Sequence, residues 1–301
     1  MSKISSLTPT PSLEGTSVAG MIRAPGQVSC PNCMMFVSVE RFLKRHYARL
    51  MSTAGRDTSA LFAVIDGPPG TGKTMAATDA TARAGLASCN VPTSMLAGAT
   101  ENAATEALTD VMRGVVAYSK VTGHDVAVIL DDFHLSIAGS TDAKIGKTVN
   151  TNLLVGDFQR MVDERPYRCA SGMPVPIVFT GNDFSQTAPS LFRDQRANRH
   201  THAPTALEKV EIIFHLLAPR TPLELRTVEK LVRAYKTQPI AFWAALKNDL
   251  FAAHLDKVLG DGPLDRKAID AAWPKRTPLD PALVWQTAKE RAAQKLTNHY
   301  V

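Results

Sequence analysis

The stretch GPPGTGKT, Gly67 to Thr74, sets Gly67, Gly72, Lys73 and Thr74 at the defined places of the phosphate-loop pattern G-x-x-x-x-G-K-[ST]. Its chemistry is the holding of phosphate groups. Gly67, Pro68, Pro69, Gly70, Thr71 and Gly72 keep the loop free of bulky side chains, so consecutive backbone N–H groups can curl round an anion, and the helix that follows adds positive potential. Lys73 is expected to neutralise the β and γ phosphates of a nucleoside triphosphate, with ATP as the cofactor, while Thr74 offers its hydroxyl to Mg²⁺. Met75, next in the chain, belongs to the same nucleotide-contacting run. The bland alternative is a glycine turn between a strand and a helix.

A phosphate loop needs an acid on a neighbouring strand, and VAVILDDFH supplies two. Asp131 is expected to orient the metal and its waters, and Asp132 to polarise the attacking water. In isolation such a pair also fits a solvated strand end. A third apolar run ends in TGND, where Asn182 is placed to hydrogen-bond that water or the γ phosphate. Shortly after it, LFRDQRANRH presents Arg193, Arg196 and Arg199 too far along the chain to face their own nucleotide. Arg193 and Arg196 fit arginine fingers supplied to a second subunit. A basic surface helix start is the competing explanation, and the stronger one for Arg199.

These residues must be positioned by alternating elements. LFAVID, VPTSML, VAVIL and PIVFTGND read as strands; a helix beginning near Phe36, MAATDATARAGLAS, ATEALTDVMRGVVAYSK and NTNLLVGDFQRMVDE read as helices. Strands alternating with helices imply an α/β fold with a parallel sheet covered on both faces. Beyond Pro204 the strand pattern stops. Thr205 with Glu208, and Thr221 with Glu224 and Pro222 at the first helical position, mark two helix starts. Further helical patterns run over about 239–258 and 281–297. The expected domains are a flexible tail over 1–28, rich in Ser, Thr, Pro and Gly, an α/β nucleotide-binding domain over 29–203, and an all-helical domain over 204–301.

Composition narrows the class. At 301 residues with 45% hydrophobic content the chain can bury a real core. No apolar run approaches the roughly 18 to 20 residues of a membrane span, and the N-terminus lacks a signal-peptide pattern, so a cytoplasmic protein is expected. Of four cysteines only Cys30 and Cys33 are close, and they lack a second pair for zinc. A net charge of +6 is compatible with nucleic-acid binding, but its lysines and arginines are dispersed.

With these residues in view, the chain resembles the AAA+ ATPases and, more narrowly, the Rubisco activase family. The similarity lies in IVFTGNDFSQTAPSLFRDQR with HAPTALEKVEIIF, and extends to VNTNLLVGDFQRMVDE and QPIAFWAALKNDLFAAHLDKVL. It implies an AAA+ P-loop NTPase fold with a C-terminal helical lid, Asn182 as first sensor, and Arg193 and Arg196 acting in trans. It further implies a ring, a hexamer, driving ATP-dependent remodelling of a protein client such as Rubisco. Lys247 stands where the family has an arginine touching the phosphates; a lysine keeps the charge and loses the planar fork. Asp132 stands where most AAA+ proteins have glutamate. About 28 residues precede the core, fewer than the N-terminal domain of plant activases, and AGATENAAT lacks the aromatic residue of threading pore loops. Two other functions fit the residues: a nucleic-acid-associated AAA+ protein using the basic helix around Arg41, Lys44 and Arg45, and a nucleotide-gated scaffold.

Overall fold

The computed structural model describes residues 18–29, 36–96, 102–133, 149–184, 190–193, 195–217, 224–255, 266, 267, 269 and 280–293. Two compact units emerge. The first takes in most described residues up to His202, and the second takes in those from Ala203 onward together with Phe36 and Pro69–Gly72.

The first unit is built on β1 (Ile22–Arg23), β2 (Phe62–Asp66), β3 (Ala87–Pro92), β4 (Val126–Asp131), β5 (Ile177–Gly181) and β6 (Ala197–Thr201). Its helices are α1 (Val37–Met51), α2 (Lys73–Arg83), α3 (Ala103–Thr122) and α4 (Val149–Glu164). Strand order is β1-β3-β4-β5-β2-β6, parallel at every pairing except the antiparallel β1–β3 edge. FAVID and VAVILD are buried up to their final aspartates, as central strands covered on both faces must be. Phe62, Phe133, Phe158 and Phe179 pack edge-to-face or tilted at 4.7–5.9 Å, joining α4 to the sheet.

Three local expectations are corrected. The second strand is Ala87–Pro92, and Thr93–Leu96 is a 3₁₀ turn: Pro92 has no N–H, so the ladder stops there. Residues 18–29 of the expected tail hold β1, whose Ile22 faces Cys89, and Val18 is fully buried against Gly114. Between Arg196 and His202 the chain forms the edge strand β6 rather than a basic helix start.

Helix α1 carries a buried histidine. Burial pushes the His46 imidazole from 6.5 down to about 4, assisted by nearby Arg49 and opposed by a hydrogen bond with the Leu61 backbone. His46 therefore stays neutral in the folded chain where the unfolded chain takes up a proton. Stability is full above about pH 6.5 and is lost as pH falls toward 4, by about 3 kcal/mol. Urea unfolding at pH 7.5 and pH 5 should show about 2 kcal/mol of this drop, and a His46→Gln variant should show a flatter profile.

The second unit contains α5 (Ala206–Leu217), α6 (Leu225–Ala234), α7 (Ile240–Leu255) and α8 (Pro281–Ala293). Trp243, Leu246, Leu250, Val228, Leu231 and Val284 form its core. The reciprocal cap at α5 is present: Thr205 N–H donates to Glu208 Oε2 at 2.8 Å, and Glu208 N–H donates to Thr205 Oγ1 at 3.2 Å. At α6 the start is corrected, with Glu224 in extended conformation as the N-cap; Thr221 and Pro222 lie outside the described residues. Arg291 forks onto Asp249, fixing α8 to α7. The Ala241 N–H donates to the Gly70 carbonyl at 3.0 Å. No described helix is long and apolar enough to cross a membrane.

Candidate active site

Strands β2, β4 and β5 run parallel, so their C-terminal ends open on one edge of the sheet, and the chemistry-bearing residues converge there. Gly67 turns the chain out of β2 with φ +147°, and a Cβ on it would lie 2.3 Å from the His202 carbonyl oxygen. The His202 N–H donates to the Asp66 carbonyl at 2.6 Å, so the end of β6 presses directly on the loop entry. Gly67→Ala is expected to lower stability by about 1–3 kcal/mol through backbone strain, read by urea unfolding, and to weaken nucleotide binding.

Lys73 opens α2 and is 6% exposed. Its Nζ donates to the Gly67 carbonyl at 3.0 Å, the Pro68 carbonyl at 2.9 Å and Asn182 Oδ1 at 2.9 Å. All three acceptors are neutral. Burial lowers its pKa, while the carboxylates of Asp132, Asp131 and Asp66 pull the other way. A buried cation held by these neutral oxygens is suited to an arriving phosphate.

Beside it the Thr74 hydroxyl bonds Asp131 Oδ1, and the Thr180 hydroxyl donates to the same oxygen at 2.8 Å. Thr93 Oγ1 bonds the Asp131 carbonyl. Thr74 and Asp131 make an oxygen pair of the kind that would hold Mg²⁺. Among the described residues no cluster of three or more His, Cys, Asp or Glu forms a metal site, and Cys30 and Cys33 lie outside them.

Asp132 is exposed with φ +50°, held by its neighbour: Phe133 is fully buried and its N–H donates to the Thr180 carbonyl at 3.0 Å. The carboxylate thus projects from a rigid turn. Aspartate tolerates the left-handed region better than longer side chains do.

The arginines stand elsewhere. Arg193 and Arg196 precede β6, whose five residues run parallel to β2, so they sit at the sheet edge opposite the phosphate loop, about 16 Å of strand away. Arg193 is exposed. Arg196 is engaged within the chain, donating to the Ser190 carbonyl at 3.0 Å and pairing with Asp163 at 3.3 Å. Arg199 pairs with Asp66 at 2.6 Å. Lys247 lies half-buried on α7 in the second unit. Thr180 and Thr93 escaped the sequence reading; the TG step before Asn182 was the available signal for the former.

Residues 63–205 match the family described as "ATPase family associated with various cellular activities (AAA)". Curated relatives similar to this chain include a ribulose bisphosphate carboxylase/oxygenase activase of Anabaena sp., 32% identical over 139 residues, covering 44% of this chain and 33% of that protein. The corresponding activase of Nostoc sp. is 30% identical over the same shares. A chloroplastic activase of Chlamydomonas reinhardtii is 30% identical over 31% of this chain and 22% of its own length. The matched region thus spans about a third or less of these relatives.

Proposed function

We propose, from the premise that residues 63–205 form an AAA ATPase domain, that this chain hydrolyses ATP at a site shared between two copies and uses the cycle to remodel a protein client. The observation that carries this is the split between Lys73, Thr74, Asp131 and Asn182, gathered at one edge of the sheet, and Arg193, exposed at the other.

In this reading the loop N–H groups and Lys73 hold the triphosphate, and Lys73 releases the Gly67 and Pro68 carbonyls to do so. Thr74 and Asp131 would hold Mg²⁺, which would supply charge neutralisation at the triphosphate. Asp132 accepts the proton of the attacking water, and Asn182 orients that water. Arg193 of a second copy stabilises charge developing on the γ phosphate, with Arg196 beside it once released from Asp163. Each copy in a ring, a hexamer by resemblance, then both gives and receives an arginine. The proposed domains are the α/β nucleotide-binding domain, residues 29–203, and the helical domain, residues 204–301, which carries Lys247 and which the resemblance makes the lid.

Ribulose bisphosphate carboxylase/oxygenase is the proposed client, supported by the names of the similar proteins. The test is ATP hydrolysis by the full chain alone, with that enzyme in its inhibited form, and with single- or double-stranded DNA in parallel. Stimulation by the inhibited carboxylase, with recovery of carboxylation, is expected. Stimulation by DNA alone would remove the protein client, and absence of ATP hydrolysis under all conditions would remove the mechanism.

A further inference from the structure

Arg41, Arg45 and Arg49 recur at every fourth position of α1, which sets them in one row about 12 Å long. They line a cleft of about 410 Å³ whose opposite wall is β6, through Asn198, Arg199 and His200. The cleft has a fixed floor: the Phe42 ring stacks on His200 at 5.3 Å, and Asn198 Nδ2 lies 3.1 Å from His46 Nδ1. Among the described residues, Arg41, Arg45 and Arg49 have no ion-pair partner, while Arg199 is paired with Asp66. Among the described residues, three charges on that row therefore stand unneutralised around one concavity.

We propose that this cleft binds a compact phosphorylated anion carrying two or more phosphate groups, at a site separate from the phosphate loop. Guanidinium forks match phosphate oxygens in pairs, and a row of them offers several such contacts at helical spacing. The cleft has the volume of a small-molecule site. The basic surface is also interrupted: Lys44, which would extend the charge along α1, is neutralised by Glu40 at 2.6 Å. A groove tracking a nucleic-acid strand needs a continuous basic path, which favours the compact ligand here. None of these residues belongs to the ATP-hydrolysing set, so the site does not depend on that reading.

The test uses the full chain saturated with ADP, so that the phosphate loop is filled, and titrates it calorimetrically with inorganic pyrophosphate and tripolyphosphate at low salt. Saturable binding is expected, weakened at least tenfold in an Arg41→Ala/Arg45→Ala variant. An Arg226→Ala/Lys230→Ala variant, which removes two exposed charges from α6, should bind as the wild type does. Thermal melting and ADP affinity verify folding, and Arg45→Gln alone replaces the double variant if that one fails to fold. The proposal is overturned by absence of saturable binding, by equal weakening in the α6 variant, or by binding of oligothymidylate or a glutamate-rich peptide through Arg41 and Arg45 without binding of either polyphosphate.

Discussion

Arg193→Ala is expected to slow ATP hydrolysis by about 10³ to 10⁵, with stability and nucleotide affinity close to wild type. Arg193 is exposed at the sheet edge remote from Gly67–Thr74, so its loss leaves the chain's own loop and core untouched. Arg196→Ala differs, because it also removes the bond to the Ser190 carbonyl and the pair with Asp163. The carboxylate in that pair is largely exposed, so its stability cost stays under about 1 kcal/mol. Mixing is the decisive measurement. Lys73→Ala subunits keep Arg193, and Arg193→Ala subunits keep an intact loop, so two inactive variants should regain turnover together. Full activity in Arg193→Ala alone, or silence in a mixture shown to assemble, would defeat the shared site.

Asp132→Asn is the second large effect, a fall in turnover of about 10² to 10⁴ with ATP affinity retained, the range expected when a general base is lost. The substitution is unusually clean here. Asparagine accepts a φ of +50° as readily as aspartate, so the turn anchored by Phe133 survives and only the charge is removed. Single-turnover hydrolysis, with ADP affinity as the control, separates the two. Turnover at the wild-type rate would mean that Asp132 takes no proton; function unchanged by Asp132→Asn but abolished by Lys73→Ala would favour a nucleotide-gated scaffold instead.

Central elements were legible because their physics is local. A strand buried on both faces is a continuous apolar run, and β2, β4 and β5 stand in the sequence as FAVID, VAVIL and IVFTG. The edge strand β6 was not, since its side chains pair rather than pack: Asn198 with His46, Arg199 with Asp66, His200 with Phe42. Such partners come from distant parts of the chain and leave no periodic trace. Thr180 was missed for a related reason, because its bond to Asp131 crosses from β5 to β4. The hold of Asp163 on Arg196 likewise depends on where α4 lies. Asp132, by contrast, stood out in the sequence as a short residue where glutamate is usual, and its positive φ supplies a physical reason for the shorter side chain.

The polarity of the sheet has a consequence for how much enzyme a given quantity of chain represents. On the proposed shared site, with loop and arginine on opposite edges, no isolated copy would hold the whole of it, and each would be created by an encounter. Hydrolysis per molecule should therefore fall steeply on dilution by mass action, well before any copy unfolds. Abundance itself then becomes a control on activity, acting without any separate inhibitor.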